Sequence, residues 1–148
     1  MKKSKNKGFT LIEILVVIGI IAILAAIVLI AINPARQFKQ ARDSQRVSNV
    51  NAILNGIGQS IADNKGAVPA GIPVVPAAAA EVGVALCNAL VPTYIPSLPA
   101  DPANTVGSYT VCADVGAGDI DYTVLQDAAG RITVSAVGEI TTPIAVTR

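Results

Sequence analysis

The sequence predicts an α+β fold. One long N-terminal helix, membrane-spanning in its first half and amphipathic in its second, packs on a small antiparallel sheet. Three observations carry this expectation. Residues Gly8–Ile32 read GFTLIEILVVIGIIAILAAIVLIAI, with no charge and no proline from Ile14 onward. Val47, Val50, Ile53, Leu54, Ile57 and Ile61 then recur at spacings of three and four, the stripe of a half-buried helix. Near the C-terminus three short strand candidates follow, Ser108–Ala113, Asp121–Gln126 and Ile132–Val137. The last two are joined by Asp127-Ala128-Ala129-Gly130, a hairpin loop whose glycine suits positive φ. A helix with one apolar stripe and a sheet with one apolar face bury each other as two layers.

The elements divide the chain into four segments. Residues 1–8, MKKSKNKG, form a basic, polar leader. Residues 9–32 form a helix which, at about 1.5 Å per residue, is long enough to cross roughly 30 Å of hydrocarbon. An ordinary secretory signal has an apolar core of about 7–15 residues and a small-x-small cleavage site. This run is longer and leads into Ala31-Ile32-Asn33-Pro34 without such a site. Ala22 and Ala26 give it a small-xxx-small spacing that lets helices approach closely. At Asn33-Pro34 the missing N–H and the proline ring impose a kink or a restart.

Residues 33–66 then resume as the amphipathic helix. Gly56 and Gly58 each weaken it by about 1 kcal/mol relative to alanine, and Gly66 is placed to cap its C-terminus. Residues 67–148 form a small exterior head. Three prolines and a glycine in Ala67–Ala80 exclude regular helix until about Ala77. Ala78–Leu90 reads as a short helix carrying Cys87. Val91–Pro102, with four prolines, reads as an extended surface loop. The last ten residues, with Pro143, either add an edge strand or fray.

Composition narrows the function. The chain has no His, which removes the commonest general base and metal ligand, and only 3% aromatic residues, few for a ligand pocket. No catalytic residue and no cofactor are expected. The net charge of +1 conceals an asymmetry. Lys2, Lys3, Lys5 and Lys7 lie in the leader, and Arg36, Lys39, Arg42 and Arg46 follow the apolar run, with Asp43 the only acid among them. From Val47 onward three basic residues face eight acids, a net charge of −5. An acidic head argues against nucleic acid as its direct ligand. The basic row reads either as a solvated face that can touch lipid headgroups or as a docking surface for an acidic neighbour.

Glu13 stands out inside the apolar run. A charge within a membrane helix costs roughly 2.5–3.5 kcal/mol on insertion scales, so it calls for a partner or a path to water. The surrounding Gly8-Phe9-Thr10-Leu11-Ile12-Glu13 resembles the processing motif of bacterial type IV pilins and type II secretion pseudopilins. The likeness rests on the basic leader, the glycine, the phenylalanine, the glutamate at the fifth position after the cut and the uninterrupted apolar helix. It covers the first 32 residues. It implies that a prepilin peptidase cuts between Gly8 and Phe9 and that the new N-terminal Phe9 is methylated. Cutting there frees an amine at Phe9. Residues four apart share a helix face, so that amine and Glu13 are within mutual reach, in one chain or between neighbours. A buried carboxylate is tolerable only when paired. The other reading of Glu13 is a side chain that snorkels to water.

The dense leader lysines and the resemblance together put the N-terminus in the cytoplasm and the head outside. For a head outside the membrane, Cys87 and Cys112 read as a disulfide, in agreement with the bridge that secreted pilins commonly carry near the C-terminus. Asp114, Asp119 and Asp121 surround two glycines and form a Ca²⁺ candidate, since some pseudopilins bind that ion near the C-terminus. A plain turn, built from Asp and Gly as turn formers, is the competing reading.

The expected protein is therefore the structural subunit of a type IV pilus-like filament, not an enzyme. Its partners are the prepilin peptidase, the inner-membrane assembly machinery, the membrane and further copies of itself. The alternatives are a pseudopilin of a type II secretion or DNA-uptake system and a single-pass anchored binding module that never polymerises.

Overall fold

The structure is a computed structural model and describes residues 8–148. The expected leader, apart from Gly8, lies outside the described residues. The chain divides into two compact units, one reaching Phe38 and the other comprising Lys39–Arg148.

In the first unit, helix α1 spans Leu11–Ala31. Its uninterrupted Leu, Ile, Val and Ala run offers no breaker. It ends where Pro34 disfavours helical backbone at the residue before it. The Ile32 N–H still donates to the Val28 carbonyl, closing the last turn. Helix α2, Pro34–Asp63, begins at once with proline in the first helical position, where its missing N–H has no helical partner to lose. The Asn33 side-chain oxygen accepts the Arg36 N–H at 3.3 Å. The interruption expected at Asn33-Pro34 is thus a restart, with asparagine capping the second helix.

In the second unit, α2 buries Val50, Ile53, Leu54 and Ile57, none more than 3% exposed. These are the middle of the predicted stripe. Val47 at its start is exposed, and Ile61 at its end is partly buried. Gly56 has a packing reason, because a Cβ there would meet Ile95 Cγ2 at 3.0 Å, whereas Gly58 faces open space. Beyond α2, Gly66 takes φ +90° and its N–H donates to the Ile61 carbonyl at 2.8 Å, closing the helix end as its glycine implied.

A four-stranded antiparallel sheet lies in the order β1-β4-β5-β6, formed by Ala80–Glu81, Tyr122–Gln126, Ile132–Ala136 and Ile144–Thr147. Tyr122 and Val124 on β4 and Ile132, Val134 and Ala136 on β5 alternate inward. They join the α2 stripe in one apolar core. This is the predicted α+β layer pair. The β4–β5 hairpin falls where its loop chemistry put it, with Gly130 at φ +85°. Asp127 holds the turn by accepting the Ala129 and Arg131 N–H groups. The C-terminal segment takes the edge-strand alternative, β6 pairing with β5.

Three expectations fail locally. Ala78–Leu90 is not one helix. Ala80 and Glu81 pair with Val124 and Thr123 as β1, and α3 is confined to Val84–Leu90 behind an extended Gly83. Alanine is the best helix former, but its preference is worth only a few tenths of a kcal/mol per residue, and the ladder to β4 outweighs it. Ser108–Ala113 is not one strand. Only Ser108–Tyr109, β3, pairs, with Leu98–Pro99, β2, in a separate two-stranded sheet. Residues Cys112–Asp114 then wind into a short 3₁₀ turn. The proline-rich Val91–Pro102 is not a surface loop throughout, since Ile95, Leu98 and Ala100 are buried.

Cys87 on α3 and Cys112 in the 3₁₀ turn form a disulfide with Cα atoms 5.6 Å apart. It closes a sequence separation of 25 residues and ties the 3₁₀ turn to α3. Replacing both cysteines by serine is expected to lower stability by about 3 kcal/mol in the chain-entropy picture. Urea denaturation of the full chain in detergent measures this. A loss below about 1 kcal/mol would show that the unfolded chain gains little freedom without the bridge.

Candidate functional site

The segment around Glu13 is built from its own local chemistry. Gly8, Phe9 and Thr10 precede α1 in non-helical conformation and are exposed, Phe9 by 77%. Thr10, at φ −84° and ψ 151°, is the N-cap. Its Oγ1 accepts the Glu13 N–H at 3.2 Å, and Glu13 Oε2 accepts the Thr10 N–H at 3.4 Å. This reciprocal pair is a capping box, which satisfies two of the donors a helix start leaves free. The Thr10-x-x-Glu13 spacing ahead of an apolar run is a capping-box signature legible in the sequence, separate from the charge on Glu13. The glutamate therefore has a role inside its own chain before any neighbour is considered.

No residue of α1 is buried. Large apolar side chains from Leu11 to Ile30 stand exposed along its length. Such a surface cannot rest in water and needs lipid or other helices around it. Among the described residues α1 is the only helix long and apolar enough to cross a membrane.

In the second unit the basic row on α2 divides. Arg46 is 4% exposed. Its guanidinium spans Asp101 with a two-pronged pair, Nε to Oδ2 at 2.5 Å and Nη2 to Oδ1 at 2.7 Å. Its Nη1 donates to Asp43 at 2.8 Å and to Glu139 at 3.2 Å. Arg42 clasps Glu139 through Nε and Nη2 at 2.5 and 2.7 Å. Asp43 in turn accepts the N–H groups of Glu139, Ile140 and Thr141 at 2.8–3.1 Å, gripping the loop before β6. The expected acidic partner of the basic row is thus the chain's own head for Arg42 and Arg46. Arg46 is buried in its pair, whereas the Arg42 pair stays partly exposed.

The carboxyl groups of this cluster respond to their donors. The Glu139 N–H, with those of Thr141 and Ile140, holds the Asp43 carboxyl far below the usual range, against burial. Arg42 first, then Arg46, brings Glu139 down to about 2. Burial pushes Asp101 upward, but the hydrogen bonds from Arg46 and Ala103 outweigh it and the net shift is downward. The Arg46 guanidinium is held charged, chiefly by Asp101. A buried cation that meets three acids with satisfied geometry is a structural fastening. Among the described residues no buried side-chain polar atom lacks a partner.

The loop holding Asp114, Asp119 and Asp121 is organised by protein groups. Asp119 Oδ2 accepts the Gly116 N–H at 2.8 Å and the Tyr109 hydroxyl at 3.0 Å. The Glu81 carboxylate accepts the Gly118 N–H at 2.9 Å. Asp121 sits at φ +60°. Among the described residues no group of three or more His, Cys, Asp or Glu stands close enough to hold a metal ion, so these aspartates are not gathered into a ligand set.

Comparison with known families gives a match to the prokaryotic N-terminal methylation motif over residues 3–29. No curated protein and no solved structure matches the chain.

Proposed function

Because residues 3–29 carry the N-terminal methylation motif, the signature of type IV pilin and pseudopilin precursors, we propose that this chain is the precursor of a filament-forming structural subunit. The leader, residues 1–8, is removed by a prepilin peptidase and Phe9 is methylated. The helix in residues 9–32 holds the subunit in the cytoplasmic membrane with its N-terminus in the cytoplasm. The assembly machinery then draws it into a filament of identical copies, with the head on the filament surface and Glu13 meeting the Phe9 amine of a neighbour. The observation that carries the reading is the coincidence of the motif with α1, a helix with no buried residue in its own chain. A role of this kind is structural rather than catalytic.

The non-helical Gly8-Phe9-Thr10 backbone supports the cut, since a peptidase needs its scissile bond outside regular helix. In a host with a prepilin peptidase, Edman sequencing or mass spectrometry of the mature chain should return an N-terminus at Phe9 carrying one methyl group. A chain that keeps Met1, or begins after Ala31, sinks the reading. Gly8→Ala should be processed better than a bulky substitution at the same position. The motif serves pseudopilins equally, and recovery of sheared surface filaments separates a pilus subunit from a pseudopilin of a secretion or DNA-uptake system. An anchored module would stay in the membrane with its leader intact.

A further inference from the structure

The four-stranded sheet of the second unit ends in two unlike edges. At one edge β1 has only two residues, one of them Glu81. Beyond β1, the same side of β4 is covered by the chain itself. The Gln126 N–H donates to the Pro73 carbonyl, and the Val75 N–H donates to the Gln126 carbonyl. Shortness, charge and a covering segment all discourage further pairing. At the other edge β6 runs for four residues, Ile144–Thr147, with no charge, no proline and an unbroken register to β5. It carries none of those safeguards.

The phase of the ladder identifies the free groups. Ile132 and Arg148 exchange both of their N–H···O bonds, at 2.6 and 3.0 Å. Bonded pairs therefore recur at every second residue, at Val134–Val146 and Ala136–Ile144. The backbone N–H and C=O groups of Ala145 and Thr147 point away from β5. No turn or loop backbone among the described residues bonds them. Ala145 and Thr147 are exposed, while Ile144 is buried and Val146 packs on the core.

We propose that this edge is an interaction surface and that its occupant is β6 of a second copy, paired antiparallel about a twofold axis at Val146. A row of free N–H and C=O groups is matched by the extended backbone of another strand. The β6 sequence is complementary to itself in this respect. Setting Val146 opposite its counterpart places Ala145 of each copy opposite Thr147 of the other, so the free groups of both strands meet. The facing side chains are small and bring no like charges together. Arg148, the nearest cation, is drawn back to Asn55 of its own α2. A twofold contact closes on itself. It joins two heads, stands apart from any packing of the apolar helices, and does not rest on the filament reading. The contact is small, so it gains strength where chains share one membrane or one surface.

The test uses the full chain in lipid vesicles under mild oxidation. The native cysteines are joined to each other, so a thiol introduced on β6 is the only free one. The pairing sets positions 145 and 147 of the two copies about 5.5 Å apart between Cα atoms. Like positions lie on a diagonal, beyond the roughly 7 Å that a disulfide can bridge. A mixture of Ala145→Cys and Thr147→Cys chains should therefore cross-link at least about threefold more than either alone. Adding Thr147→Lys to the first chain and Ala145→Lys to the second opposes like charges across the pair and should abolish the product. Using Ala145→Asp in place of Ala145→Lys should restore it, which separates a lost contact from a lost fold. Equal cross-linking in every combination would assign the contact to collisions of the apolar helices and overturn the proposal. So would a mixture that gives no product, or a product that survives both lysines.

Discussion

Replacing Glu13 by alanine is expected to leave cleavage and membrane insertion largely intact and to abolish filament assembly. The capping box explains the first half. Thr10 Oγ1 still accepts the backbone N–H of residue 13, so α1 keeps one of its two capping bonds and its start. Losing the other costs on the order of 1 kcal/mol, too little to unravel an apolar helix in lipid. The second half follows from charge. In a filament core the Phe9 amine of each subunit would be dehydrated, and without a carboxylate it would be an unpaired buried cation. Breaking such a pair costs about 3–5 kcal/mol, two to four powers of ten in each association step. Glu13→Asp, shorter by one methylene, should be intermediate. Glu13→Gln separates the two roles, because an amide preserves the capping box and removes the charge. It should behave like alanine in assembly and like wild type in helix initiation. The measurement is sheared filament yield against membrane-bound mature subunit by immunoblot. Normal yield from Glu13→Ala or Glu13→Gln would return the glutamate to a purely local capping role.

Arg46→Met is expected to destabilise the second unit by about 3–5 kcal/mol, since it leaves the Asp101 carboxylate buried without its cation. Arg42→Met should cost much less than Arg46→Met, because its pair with Glu139 is partly exposed and screened. Urea denaturation in detergent, followed by the near-ultraviolet signal of buried Tyr122, distinguishes them. Equal losses from the two variants would contradict the central place given to Arg46. The pH dependence has a definite sign. Asp43, Asp101 and Glu139 all have folded pKa values below their unfolded ones. Their stabilisation is complete above the ordinary carboxylate range near 4. It is lost as pH falls from there through the folded values, about 2 for Glu139. The wild type should therefore weaken progressively below about pH 4.5, and Arg46→Met should show a shallower acid slope because much of its carboxylate stabilisation is already absent.

Much of this protein was legible along the chain because the relevant signals are local. The membrane run needs only composition and length. The α2 stripe needs only its spacing, and Val50, Ile53, Leu54 and Ile57 are buried where that spacing put them. The β4–β5 hairpin needs only a loop whose glycine takes positive φ. The N-terminal methylation motif is contiguous in residues 3–29, and the capping box is legible from Thr10 and Glu13 three residues apart. What the tertiary structure alone decided involves partners far apart in sequence. Arg46 meets Asp101 and Glu139 across 55 and 93 residues, and nothing in a row of basic residues says which acids will fold over it. Ala80–Glu81 became a strand because β4 offered an edge, and the chain turned at Cys112 to meet Cys87. Local preference in such segments is worth a few tenths of a kcal/mol per residue, and a ladder, a bridge or a buried ion pair exceeds it.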